Sequence, residues 1–473
     1  MKLKASIHIA SIVSLTLMVG GCGFQSYLPK PMAPLKIAEK LEQRSVSDAD
    51  FQTFLVAQEY PNNQLPISLW GEKELSLSAL FFHPDLNVAR AKWRSAQAAQ
   101  ITAAQRPEIG INGGLQNHSQ STDKSPWTYS LGIDIPLVTA GKREARIAQA
   151  SSLSEAARIE IAQTAWLTHS RVALSLLEYQ YAIAQSEILK NEVALRTARA
   201  DMLVKRMDAG MASNIDVSNA RIALQKSEQA YLSASGRVEA LGATLASDAG
   251  LSFIAFKQLN VQPFDQSAVS NIDNLQYQAL LNRLDIRASL ARYEAAEAKL
   301  RLEIAKQYPD LTLSPSTSLD QGDKIWSLGF SSLLSLINKN RGMIAQATAL
   351  REVEVAQFEA LQAKVIADLN QAKAAYQASI VASTKAQALL VNQQKRTQQT
   401  EKQFDAGFAD RLALSTTQLE NIIATQGVLN TAYQVNLAKL KLEDVLQRPL
   451  DNRLSLPANV DEASKTDNKD KKS

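Results

Sequence analysis

The chain has 473 residues, with 51 Lys and Arg against 47 Asp and Glu, a formal net charge of +4, and 45% apolar but only 6% aromatic residues. So even a balance excludes an electrostatic nucleic-acid binder, and a single cysteine excludes an internal disulfide, a cysteine-rich zinc site or an iron–sulfur cluster. No His-Glu-x-x-His, Gly-x-Ser-x-Gly or P-loop pattern occurs, since Gly141-Lys142 runs on into Arg143, and neither catalytic residues, a metal nor a cofactor is expected.

In chain order, Lys2 and Lys4 precede an apolar run from Ile7 to Val19 that meets Gly20-Gly21-Cys22. The run is too short to cross a bilayer as a helix, so residues 1–21 read as a secretory signal peptide. The small residues before Cys22 match the lipobox of bacterial lipoproteins, which implies that Cys22 carries the lipid after cleavage. Gly23 in place of Asp implies sorting to the outer membrane. Residues 22–73 are read as a lipidated N-terminal linker. No later window holds 18 uncharged apolar residues, so a membrane span would have to be a closed β-barrel.

From residue 74 the chain repeats itself. Ser130-Leu131-Gly132, Ile147-Ala148-Gln149-Ala150 and Asp208-Ala209-Gly210 recur as Ser327-Leu328-Gly329, Ile344-Ala345-Gln346-Ala347 and Asp405-Ala406-Gly407, each displaced by 197 (327 − 130, 344 − 147, 405 − 208). Residues 74–260 form the first copy and 261–449 the second. Each copy reads as a helix, a Pro break, two short strands, a very long helix, an Asp-Ala-Gly turn and a second helix. Strands are expected at about 109–117 and 127–137, then 311–319 and 325–335. In the first pair Ile109, Ile111 and Leu115, then Trp127, Tyr129, Leu131, Ile133, Ile135 and Leu137, share one face, and polar residues alternate with them.

No Gly or Pro interrupts Arg143 to Met207, which predicts a helix of roughly 100 Å. Leu174, Leu177, Tyr181, Ala184, Ile188, Asn191, Leu195, Ala198 and Met202 advance by threes and fours, and so do Val217, Ala220, Leu224, Ser227, Tyr231, Ala234, Val238, Leu241 and Leu245. These are antiparallel coiled-coil seams. They predict helical hairpins over 143–247 with a turn at 208–213, and over 341–446 with a turn at 405–410. Beside the seam of the last helix, Leu412, Leu419, Ile422 and Leu429 form a second stripe, and two stripes ask for two neighbours. His83 and His118 lack a second ligand at useful spacing and read as a helix-start and a loop histidine. The polar tail, residues 450–473, is expected to be disordered.

A lipobox, a duplicated plan, strand pairs and long helices turning at Ala-Gly together resemble the TolC-type outer-membrane efflux proteins, in particular their lipidated branch. The resemblance covers roughly Ser76 to Pro449. It rests on Pro84-Asp85-Leu86-Asn87-Val88-Ala89-Arg90, on Gly132-Ile133-Asp134-Ile135-Pro136-Leu137 leading to Gly141-Lys142-Arg143, and on both Ala-Gly turns. It implies a mainly α protein with a small transmembrane β-barrel: three chains close twelve strands in the outer membrane, and their helices form a tube through the periplasm. The implied function is a passive exit duct, with a periplasmic adaptor, an inner-membrane pump and outer-membrane lipid as partners. A type I protein secretion duct is the alternative, and a non-pore scaffolding lipoprotein a lesser one.

By the same resemblance Ala209, Gly210, Met211, Ala406, Gly407 and Phe408 form the adaptor-contact turns. Trp127, Tyr129, Trp326 and Phe330 read as membrane-interface aromatics. Asp208, Asp216, Asp405 and Asp410 lie near one end of the folded chain, and Arg411 is the candidate to hold their mutual repulsion closed. The second copy departs from the family in carrying Ala413 where the first has Asp216, and Asn338-Lys339-Asn340-Arg341 where glycine is common.

Overall fold

The computed structural model describes residues 25–58, 60–61, 64–119, 125–262, 275–333 and 338–450. The signal peptide, Cys22 and the tail beyond Leu450 therefore lie outside the described residues, as does the end of the strand expected at 325–335. The chain divides into one unit ending at Arg44 and one running from Ser45. The first holds helix α1 (Pro34–Glu42), which opens on a proline and buries no residue.

In the second unit the described elements are α2 (Ala49–Ala57), α3 (Glu72–Phe82), α4 (Pro84–Ala104), β1 (Gly110–Asn117), β2 (Trp127–Leu137), α5 (Lys142–Asp208), α6 (Asn214–Asp248) and α7 (Phe253–Phe256). They continue with α8 (Leu275–Asn282), α9 (Leu284–Ala305), β3 (Leu311–Asp320), β4 (Asp323–Ser332), α10 (Arg341–Asp405) and α11 (Arg411–Leu446). No helix among the described residues is long and apolar enough to cross a membrane.

The two longest helices start alike. Gly141 at the N-cap of α5 has φ 70° and Asn340 at the N-cap of α10 has φ 53°, both left-handed. Where the second copy lacks glycine, asparagine takes the strained conformation and its amide donates to the Glu303 carbonyl (2.8 Å) and carboxylate (3.0 Å). Glu303 is fully buried and also receives Lys299 and Lys306. Burial opposes its charge, but these hydrogen bonds outweigh that and hold its carboxyl down at about 2.

The 67 residues of α5 run for about 100 Å, whereas α6 returns for only 35 residues. α5 therefore has two sets of neighbours: α4 and α9 toward its N-terminus, α6 and α11 toward its C-terminus. The α6 seam lies inward, with Val217, Ser227, Ala234 and Leu245 buried. On α5 the seam is only half covered, since Leu177 is buried while Leu174, Asn191 and Ala198 are exposed, and Ala182, Ala200 and Leu203 beside it are buried as well. α11 packs on both α10 and α5, which accounts for its two stripes.

Each copy has its own core at the level where the short helix returns. Leu86, Val172 and Leu245 are buried in one, Ile286, Leu369 and Leu442 in the other. The first core is enlarged by residues read from sequence as linker. Within 22–73, residues 49–57 instead form α2, capped by Asp48 accepting from the Asp50 amide at 2.9 Å. Phe51 and Leu55 are fully buried, and the Phe51 ring lies 5.2 Å from Phe82 and 5.5 Å from Phe81. The spacing Phe51, Phe54, Leu55 puts three large apolar groups on one helix face, which needs a core to cover it.

Candidate functional site

The four strands form one antiparallel sheet in the order β1-β2-β3-β4, joining the two copies through β2 and β3. Register aligns its faces. Ile111 opposes Ile133 and Leu115 opposes Tyr129; Tyr129 also pairs with Leu319, Ile135 with Leu313, and Leu313 with Phe330. One face is thereby apolar across all four strands and open to the surroundings: Ile111 is 79% exposed, Leu328 72%, Trp326 82% and Phe330 81%. Trp127 and Tyr129 lie near the hairpin end of that face, and Phe330 near the helical end.

The opposite face is polar and internally bonded. Asp134 accepts from the Asn112 amide (2.8 Å) and the Ser314 hydroxyl (2.6 Å), and the Thr128 hydroxyl donates to Asp320. His118 stands at the hairpin end of this network, 3.0 Å from the Thr128 hydroxyl, while His83 caps α4 by accepting from the Asp85 amide. Among the described residues both edge strands, β1 and β4, lack a partner on their outer side.

At the far end of α5 and α10 the chain turns at Gly210 (φ 71°) and Gly407 (φ 80°). Among the described residues, chain neighbours aside, nothing lies within 4 Å of where a Cβ would stand at either, so backbone conformation and not crowding asks for glycine. Met211 and Phe408 beside them are 73% and 86% exposed, and Ala209, Ala406, Asp208 and Asp405 are exposed too.

The other two tip carboxylates are engaged. Asp216 closes a capping box with Ser213, its carboxylate accepting from the Ser213 amide (3.0 Å) and hydroxyl (2.7 Å), and these bonds hold its carboxyl below the usual range. Asp410 caps α11 by accepting from the Ala413 amide (2.7 Å) and also takes the Arg206 guanidinium at 3.1 Å. The amide first and Arg206 after it keep the Asp410 carboxyl low. Arg411 is exposed in the first turn of α11.

Arg206 is the residue that sequence reading missed. With Arg196 and Arg199 it lines a cavity of about 500 Å³ between α5, α6 and α11. Arg199 donates to the Thr416 hydroxyl at 3.1 Å and Arg196 to Glu192 at 2.7 Å. The basic residues Arg196, Arg199 and Arg206 recur at 3 and 7 along α5, a spacing visible in the sequence, but their partners sit in the other copy or on other turns.

Midway along α5 a second polar cluster ties the copies together. The Trp166 indole donates to Asp444 at 3.1 Å and the Ser170 hydroxyl donates to the same oxygen at 2.9 Å. His169, nearly inaccessible, bonds Ser76 through Nδ1 at 2.9 Å. Burial pushes its pKa down to about 4, although Asp444 pulls the other way. Among the described residues no group of three His, Cys, Asp or Glu is placed to hold a metal.

The outer membrane efflux protein family matches residues 75–250 and 275–447, the two copies of the repeat. The cobalt-zinc-cadmium resistance protein CzcC of Cupriavidus metallidurans is 25% identical over 385 residues, covering 78% of this chain and 88% of that protein. The outer membrane protein VceC of Vibrio cholerae superposes with a TM-score of 0.67 at 19% identity, over 80% of this chain and 97% of that one. The open-state MtrE outer membrane channel of Neisseria gonorrhoeae gives 0.65 at 16% identity, over 80% and 89%. With a sheet apolar on one face, hairpins turning at glycine, and a family match spanning both repeats, the chain belongs to the outer membrane efflux protein family, a family of efflux channels.

Proposed function

We propose that three copies of this chain close a twelve-strand barrel in the outer membrane and, through their helices, form the passive exit duct of a tripartite efflux system. The observation that carries the reading is the sheet: its apolar face is exposed and both edges are open. Lipid offers no hydrogen bonds to an open edge, so β4 of one copy must pair with β1 of the next until the ring closes. Four strands are too few to close alone, and three copies supply twelve. The polar face then lines the lumen and the apolar face meets lipid, with Trp127, Tyr129 and Trp326 toward one interface and Phe330 toward the other.

The turns at Gly210 and Gly407, about 100 Å from the sheet, point into the periplasm, where Ala209, Met211, Ala406 and Phe408 offer contacts to an adaptor that links the duct to an inner-membrane pump. Asp208, Asp216, Asp405, Asp410 and Arg411 surround the periplasmic opening in this arrangement. Cys22, lipidated after cleavage of residues 1–21, anchors the chain to the same membrane. The resistance relative makes divalent metal ions the cargo to test first. Crosslinking in detergent followed by native mass measurement tests the assembly, a stable monomer being the outcome against it. Mass spectrometry of the N-terminal peptide tests Cys22, an unmodified thiol counting against the anchor.

A further inference from the structure

Between α5 and α11, beside the Trp166–Asp444 bond, lies a cavity of about 410 Å³ whose walls include Leu167, Leu174, Leu437 and Leu440. It opens to the surroundings: Leu167 is 44% exposed, Leu174 is exposed, and Leu437 and Leu440 are half-buried. The chain turns toward it after α11. Gln447 takes a left-handed φ of 51°, its side chain accepts from the Leu284 amide at 2.7 Å, and its own amide donates to the Asp444 carbonyl at 3.2 Å. The Leu450 amide then donates to the Glu443 carboxylate at 3.0 Å. Leu450 packs on the second core, whereas Glu443 lines the cavity. At about 100° per residue, Glu443 stands between Leu442, which faces that core, and Leu440 and Asp444, which line the cavity. Residues 447–450 thus lead from the core face of α11 toward its cavity face, and 23 residues follow them (473 − 450).

Those residues, which lie outside the described ones, are not uniform in composition. Their Leu and Val residues, Leu454, Leu456 and Val460, all fall before Asp461, and residues 461–473 hold eight charges. An extended Leu454-Ser455-Leu456 puts both leucines on one side, and Pro457 biases Leu456 toward that conformation. Reach is sufficient. Four extended residues from Leu450 to Leu454 span roughly 13 Å, and Glu443 to Leu437 along α11 is about 9 Å. The rim offers both signs, Lys441 and Asp444, to Asp451 and Arg453 ahead of the leucines. We propose that the chain's own tail, through Leu454 and Leu456, docks in this cavity and latches α5 of the first copy to α11 of the second. Docked there, the leucines take Leu167 and themselves out of water and shield the Trp166 and Ser170 bonds to Asp444, which strengthens those bonds. The inference goes beyond the duct reading and needs only a single chain.

Full-length protein carrying Leu167→Cys is labelled with a maleimide in detergent, with the parent chain, whose one cysteine is Cys22, as the blank. Labelling is expected to be slow. It should be about tenfold faster or more when Leu454→Asp and Leu456→Asp are added, since burial of one leucine side chain is already worth that factor. A chain ending at Leu450 should match the aspartate variant, and one ending at Val460 should stay slow. Leu232→Cys, exposed on α6, should label equally in all four backgrounds. Fast labelling of Leu167→Cys in the full-length protein overturns the proposal, because the cavity is then open. Slow labelling in every background overturns it in favour of a second copy over the cavity. Acceleration shared by Leu232→Cys overturns a local latch in favour of a general loosening. Oxidation of Leu167→Cys together with Leu456→Cys is expected to close a disulfide within one chain, and a disulfide-linked dimer overturns the assignment to the chain's own tail.

Discussion

Arg206, near the end of α5, reaches Asp410 at the start of α11 across 204 residues of sequence, its Nη2 at 3.1 Å from the carboxylate. Asp410 thus does two things at once: it caps α11 through the Ala413 amide and ties the first hairpin to the second.

Removing that tie is expected to loosen the tip. An exposed pair is worth only ~0.2–1 kcal/mol, so Arg206→Ala should leave folding nearly intact while raising single-channel conductance in planar bilayers. Arg411→Ala tests the residue suggested by the sequence, and the larger rise is expected for Arg206→Ala. The sign with pH follows from the low Asp410 carboxyl. A depressed folded pKa contributes above the ordinary carboxylate value and is lost as pH falls through the folded one. Conductance of the parent should therefore rise only in strong acid, and that rise should be absent in Arg206→Ala.

His169 predicts a different window. Its folded pKa of about 4 lies below the ordinary 6.5, so the unfolded chain binds the proton first. Stability is full above the ordinary value, falls as pH drops from there toward about 4, and then levels. The span is on the order of 3 kcal/mol for so buried a group. His169→Gln should flatten the melting temperature between pH 7 and pH 5; an unchanged slope would move the titration to another group.

The core residue Phe51 is fully buried in a segment that a truncation design would discard as linker. Phe51→Ala is expected to cost ~3–5 kcal/mol and Leu442→Ala, in the second core, ~2–5 kcal/mol. Thermal unfolding of the two variants checks this, and a small loss for Phe51→Ala would return residues 49–57 to a dispensable role.

On the sheet, Leu328→Arg places a charge on the apolar face and Ser316→Lys places one on the polar face. A mid-membrane arginine costs ~2–4 kcal/mol on a lipid-facing strand. Heat-resistant trimer on gels should fall for Leu328→Arg and persist for Ser316→Lys, with equal loss speaking against the proposed orientation.

Asn340 holds a left-handed φ and bonds Glu303. Asn340→Gly keeps the backbone and loses only the amide bonds, whereas Asn340→Ala adds a left-handed penalty of ~1–2 kcal/mol. Alanine should thus melt lower than glycine, and the reverse order would count against a left-handed backbone cost at this position.

The repeats, the strand faces, the unbroken length of α5 and the glycine turns were legible in the sequence because each is written in local periodicity. Alternation by two gives Tyr129, Leu131 and Ile133 a common face, threes and fours give Val217 to Leu245 a seam, and glycine marks where φ turns positive. The Ser213–Asp216 capping box is local as well, although the carboxylate reads as a lumen charge until its partner is seen. Tertiary structure alone decided the rest. Whether Trp166 meets Asp444, 278 residues away, or Arg206 meets Asp410 depends on how far one helix is rotated and slid against another. Periodicity fixes which face of a helix is apolar but not which turn of its neighbour it touches. The same holds for α2, whose three apolar residues are too short a pattern to announce a core until α3 and α5 are there to receive them. Arg146 is a further case: an ordinary arginine in the first turns of a helix, whose Nε and Nη2 are closed off from water and have no hydrogen-bond partner among the described residues.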